Sequence, residues 1–225
     1  MEALGLATVI FLVLVVAAAS ARRARGGCGC GPSCACDRGE GCGCGLFCPC
    51  GRGGRAPGSA PQDPVRLRLR ALWREHVSRT LAFVVSSAGG LADAKAVSDH
   101  LLDNQKDIGA LFSERFGPAT GGAATALLTD HILIAAELVA ALKGGQPTDA
   151  ISGRWDKNAD DLAAALQRLR PAWGAAREML REHLRGTAAY VQAYLRGDYA
   201  KALQLVDDAQ AHMARFADLL AEKWD

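Results

Sequence analysis

The chain has 225 residues, half of them hydrophobic, and 26 Lys and Arg against 24 Asp and Glu give a formal net charge of +2. Residues 1 to 64 hold six Arg against Glu2, Asp37, Glu40 and Asp63, leaving twenty basic and twenty acidic side chains for the rest, so the surplus sits at the N-terminal end. A neutral body without a basic field, a stacking-aromatic cluster or a recognition motif is not built to hold nucleic acid, and no nucleic-acid partner is expected.

Residues 3 to 19, ALGLATVIFLVLVVAAA, run without a charge and approach the length at which a helix crosses the hydrocarbon layer. Glu2 precedes the run and Arg22-Arg23-Ala24-Arg25 follows it. By the positive-inside tendency these flanks predict a single-pass anchor over residues 1 to 21, with the C-terminal body on the cytoplasmic side. The rival is a signal peptide, since Ala19-Ser20-Ala21 offers the small residues of a cleavage site, and the body would then be secreted.

Residues 22 to 64 form a tether rich in Gly, Cys, Pro and Arg that lacks the apolar content for a core of its own. All eight cysteines lie here, in four C-x-C pairs and two tandem copies: CGCGPSCAC holds Cys28, Cys30, Cys34 and Cys36, and CGCGLFCPC holds Cys42, Cys44, Cys48 and Cys50. Each copy supplies four sulfurs, enough for a tetrahedral thiolate site that would take Zn²⁺ or Cu(I), and the composition resembles metallothionein. Disulfides between pairs, S-acylation beside a membrane and a passive tether are the alternatives. A disulfide within one C-x-C would close a small, strained ring.

From residue 65 to 225 the apolar residues recur with helical spacing, and Gly and Pro punctuate the pattern. The first helix starts near Val65, whose Val65-Arg66-Leu67-Arg68-Leu69-Arg70 alternation reads as a frayed or basic start, and Gly89-Gly90 ends it. Asp93 is placed to cap a second helix running to about Arg115. A third spans about Ala123 to Lys143 after a break at Gly117-Pro118. Pro147-Thr148 opens a fourth to about Arg170, Pro171 suits the first turn of a fifth, and Gly197-Asp198 separates a sixth. The fold class expected is all-α: an up-down bundle of about six helices built from three degenerate helical hairpins, behind a transmembrane helix and an irregular tether.

The hairpin unit comes from self-similarity. Glu75-His76-Val77, Asp130-His131-Ile132 and Glu182-His183-Leu184 align, with the histidines 55 and 52 residues apart. Eight positions after each acid stand Phe83, Leu138 and Tyr190, followed by Val84, Val139 and Val191. A second marker, N-x-x-D-apolar-small-small, begins at Asn104 and at Asn158; the third unit has no match, its nearest counterparts being Asp207, Gln210 and Asp218. Helical spacing puts His76, His131 and His183 on the apolar stripe and rotates the acids beside them by about 100° toward the rim. A buried polar group needs a partner, so the histidines are expected either to bond Asn104 or Asn158 or to converge on a metal.

These residues also carry a resemblance. Leu72-Trp73-x-x-His76-Val77, Leu101-Leu102-x-Asn104-x-x-Asp107-Ile108-Gly109, His131-x-x-Ile134-Ala135-x-x-Leu138-Val139, Trp155-x-x-Asn158-Ala159-Asp160 and Glu182-His183-Leu184 resemble a family of small helical-bundle proteins common in spore-forming bacteria. The resemblance implies an all-helical body from about Trp73 onward. Members carry the labels acetylglutamate kinase or glycosyltransferase, and neither has motif support here, because no glycine loop follows a strand and no α/β alternation occurs.

The function expected is a membrane-tethered helical adaptor or scaffold with a thiolate metal site in its tether and a protein partner, more a binding protein than an enzyme. The alternative is a metal-dependent enzyme with a site at His76, His131 and His183. Inward carboxylates with Glu-x-x-His, H-x-x-x-H, G-x-S-x-G and bundle cysteines are all missing, which removes the di-iron, serine-hydrolase and thiol chemistries. The sequence leaves the identity of any small-molecule substrate open.

Overall fold

The structure is a computed structural model that describes residues 63–224. The segment expected to anchor and the cysteine tether lie outside the described residues. Six α-helices follow in order, α1 Pro64–Gly89, α2 Ala94–Phe116, α3 Pro118–Lys143, α4 Asp149–Leu169, α5 Ala176–Leu195 and α6 Tyr199–Glu222, with a 3₁₀ turn at Pro171–Trp173 before α5. No strand occurs among the described residues, as expected of an all-helical bundle.

Each helix packs on its neighbour in sequence, and α6 returns to α1, closing a ring. Helices α1, α3 and α5 also touch one another across the interior. These are the helices that carry His76, His131 and His183, and α2, α4 and α6 stand between them on the outside.

Most boundaries follow their local chemistry. Asp63 caps α1 by accepting from Val65 N at 2.9 Å, with Pro64 in the first turn where its missing N–H costs nothing. The alternating start of α1 is therefore helix from its first residue, not a frayed end. Its arginines pair with the two adjacent helices, Arg66 and Arg70 with Asp218 of α6 and Arg68 with Glu114 of α2. Gly90 at φ 63 closes α1 and Asp198 caps α6 by accepting from Lys201 N at 3.1 Å.

Three boundaries differ from the sequence reading. Asp93 precedes α2 but makes no capping bond with its side chain. Pro171 opens a separate 3₁₀ turn, and α5 begins only at Ala176. Helix α3 starts at Pro118, five residues before the expected Ala123, and runs through Gly121 and Gly122. The reason is tertiary. A Cβ on Gly121 would meet Ser113 Oγ at 1.7 Å and Gly109 O at 2.5 Å, so Gly109 and Gly121 mark where the backbones of α2 and α3 nearly touch. Glycine here permits close packing and does not break the helix.

The apolar interior forms two clusters. One holds Leu69, Trp73, Ile108, Phe112, Leu128, Trp155, Leu180 and Phe216, and is extended by Trp173 and Trp224. The other holds Phe83, Val84, Leu101, Ile132, Val139, Tyr190 and Val191. On α1 and α5, His76 and His183 lie among the last members of the first cluster, before Phe83 and Tyr190 of the second; on α3, His131 stands between Leu128 of the first and Ile132 of the second.

Among the described residues, α3 alone is long and apolar enough to cross a bilayer. It serves as a bundle helix, packed on α2 and α4.

Candidate functional site: a buried histidine layer

The offset shared by the three histidines brings all of them inside. His76 is 2%, His131 4% and His183 7% exposed, and the neighbouring Glu75, Asp130 and Glu182 lie on the surface. Because α1, α3 and α5 meet, the rings do too: His183 is 5.5 Å from His76 and 5.9 Å from His131 between ring centroids, the second pair nearly parallel at 22°. Trp73 lies edge-on to His76 at 5.6 Å and Trp155 lies 5.2 Å from His131.

Hydrogen bonds fix the ring of His131. Asn158 Nδ2 donates to Leu127 O at 3.0 Å, which turns its Oδ1 toward His131 Nδ1, also at 3.0 Å. The proton therefore resides on Nδ1, and Nε2 keeps a lone pair. Around His76 the asparagine is held in the same way: Asn104 Nδ2 donates to Leu72 O at 3.1 Å. Gln105 Nε2 lies 3.4 Å from His76 Nδ1, but its protons point to Leu101 O at 2.9 Å and Asn104 Oδ1 at 3.2 Å.

The third helix departs in one residue. Leu72 and Leu127 stand four positions before their histidines, and so does Met179 before His183. Its carbonyl accepts from His212 Nε2 at 2.8 Å, where the other two carbonyls accept from asparagine. The counterpart of Asn104 and Asn158 is thus His212, and not Asp207, Gln210 or Asp218. A signal was present, since His76 to Asn104, His131 to Asn158 and His183 to His212 span 28, 27 and 29 residues. A search for asparagine misses it because an imidazole N–H can replace an amide N–H as donor. His212 Nδ1 lies 3.5 Å from Glu182 Oε2, long for a hydrogen bond, and His183 Nδ1 has no protein partner. Gln105, fully buried, also went unremarked in the sequence.

Burial removes the water that would stabilise an imidazolium. It pushes His76 down to about 3, helped by the nearby His131 and opposed by the Asn104 bond, and His131 down to about 4 against the Asn158 bond. His183 falls well below its ordinary value through burial and the three surrounding histidines. The layer is neutral at pH 7, the state in which imidazole binds metal or accepts a hydrogen bond. In the present ring orientations, no three His, Cys, Asp or Glu side chains among the described residues hold a common ion position.

A cavity of about 20 Å³ adjoins His183 between α1, α5 and α6, lined also by Thr80, Thr187 and Tyr190. Tyr190 Oη is buried without a partner. A larger groove of about 330 Å³ runs between α3 and α4, lined by Phe112, Ala123, Leu127, Leu162, Leu166 and Leu169.

Comparison of the chain with models of known protein families, with curated proteins and with solved structures found no match in any of the three.

Proposed function

We propose that this chain is a membrane-tethered helical adaptor or scaffold, with a metallothionein-like thiolate site at Cys28 to Cys50 and a body that docks a protein partner. In this reading residues 1 to 21 anchor, residues 22 to 64 space and bind Zn²⁺ or Cu(I), and the body is three degenerate copies of one hairpin. The matching Asn–carbonyl–His arrangements of α1/α2 and α3/α4 support that repeat. The observation that carries the reading is the α3–α4 groove, whose volume accommodates large apolar side chains of a partner. A photo-crosslinking residue at Ala123 of the full chain, in its own membrane, is expected to capture one discrete protein partner. Leu127→Glu is expected to abolish the product. Crosslinks that are absent, or unchanged by Leu127→Glu, would count against the adaptor.

The second reading is a metal-dependent enzyme at His76, His131 and His183, favoured by the convergence of the three rings. Access decides against giving it first place. The cavity beside His183 admits a group about the size of one water, so a larger substrate would require the helices to part.

A further inference from the structure

We propose that His76, His131 and His183 together bind one divalent transition ion of the zinc class, with a water from the adjoining cavity completing its coordination. This deepens the histidine reading named second above, and it concerns binding alone.

The first argument is spacing. An imidazole nitrogen binds zinc at about 2 Å, which places each ring centre roughly 3 Å from the ion and two rings at a tetrahedral angle about 5 Å apart. The observed 5.5 and 5.9 Å exceed that by less than 1 Å. Closing the gap needs ring rotation and a small inward shift, since the nitrogens do not yet share an ion position.

The second argument is the outer partners. A ligating histidine normally donates its other ring N–H to an oxygen that fixes tautomer and orientation. His131 does this to Asn158. Asn158 is itself held by Leu127 O, so the His131 ring is set to offer Nε2. A hydrogen-bonded core would have no use for a third ring with an unpartnered nitrogen. His183 has one at Nδ1.

The third argument is an open side. The cavity beside His183 holds about 20 Å³, above the roughly 10–15 Å³ that one water requires. Tyr190 also lines it, and its buried Oη has no partner. An ion bound by three imidazoles keeps such a fourth position.

The test uses the full chain with all eight cysteines replaced by serine, so that the tether cannot compete. Stripped of metal and titrated with Co²⁺, it is expected to take up one ion per chain with the absorption of a nitrogen- and oxygen-bound low-coordinate site. His131→Gln and His183→Gln should abolish uptake, Asn158→Ala should weaken it roughly 10- to 100-fold, and the exposed His100→Gln should leave it unchanged. If the core variants lose helix content, ring-nitrogen NMR of the unsubstituted cysteine-free chain with Zn²⁺ decides: the nitrogens of His76, His131 and His183 must all shift. No uptake, uptake indifferent to His131 and His183, or shifts confined to His100 would overturn the site. Uptake without turnover of any substrate leaves the site standing and removes the enzyme reading. Metal-dependent turnover that survives His131→Gln overturns both, because the enzyme reading rests on the same three rings.

Discussion

Lowering the pH from 7 to 4.5 tests the histidine layer without altering a residue. In the folded chain burial holds His131 at about 4, whereas an unfolded histidine titrates near its ordinary 6.5. Unfolded chains therefore bind a proton that folded chains refuse. Stability is complete above about 6.5 and is lost progressively as the pH falls toward 4. At about 1.4 kcal/mol per pH unit, His131 alone removes roughly 3 kcal/mol by pH 4.5. His76 and His183, depressed for the same reason, act in the same direction. This is a large part of the roughly 5–15 kcal/mol of a typical domain. The carboxylates of Asp160 and Asp218, held below their ordinary value by Arg181 and Arg70, titrate under this window. Urea unfolding at half-unit steps of pH, followed by circular dichroism, measures the slope. His131→Gln is expected to remove about 2–3 kcal/mol of the loss between pH 7 and 4.5. A stability that stays flat over this window, or a slope identical in His131→Gln, would show that the ring is not held neutral by burial.

Four further outcomes follow from the geometry. Asn158→Ala strands His131 Nδ1 in the interior and should cost about 1–3 kcal/mol, read from thermal or urea unfolding. Gly121→Ala forces a methyl group into Ser113 and the Gly109 carbonyl and should lower the melting temperature sharply, whereas Gly122→Ala faces open space and should stabilise by up to about 1 kcal/mol. Trp224→Ala removes a ring that sits 5.0 Å from Phe112 and 5.3 Å from Phe116, and is expected to destabilise by about 3 kcal/mol or more, measured in the same way. A reduced peptide of residues 26 to 52 should bind up to two Zn²⁺, or a Cu(I) cluster, and lose thiol reactivity; equal alkylation with and without metal would contradict the thiolate site.

The helices were legible because the information that specifies them is local. Asp63, Gly90 and Asp198 act on the backbone within a turn of themselves, and the inward histidines follow from the apolar stripe. The features missed depend on contacts between distant segments. Gly121 reads as a breaker until Gly109 is seen across from it, twelve residues away in sequence and in backbone contact in space. His212 replaces asparagine through a donor property that no residue-type match detects, and only the carbonyl it serves reveals the equivalence. Trp173 and Trp224 stand outside the repeat, and it is packing that unites them with Phe112 and Phe116. Periodicity likewise placed three histidines inward but was silent on whether their helices meet. That depended on the ring closing through α6 and α1.

The most direct measurement of the central claim is the protonation of the histidine rings, read from long-range proton–nitrogen NMR of the metal-free, cysteine-free chain at pH 7. The account predicts neutral rings for His76, His131 and His183, with the proton of His131 on Nδ1, facing Asn158. Imidazolium signals from the three, or a proton on Nε2 of His131, would contradict it.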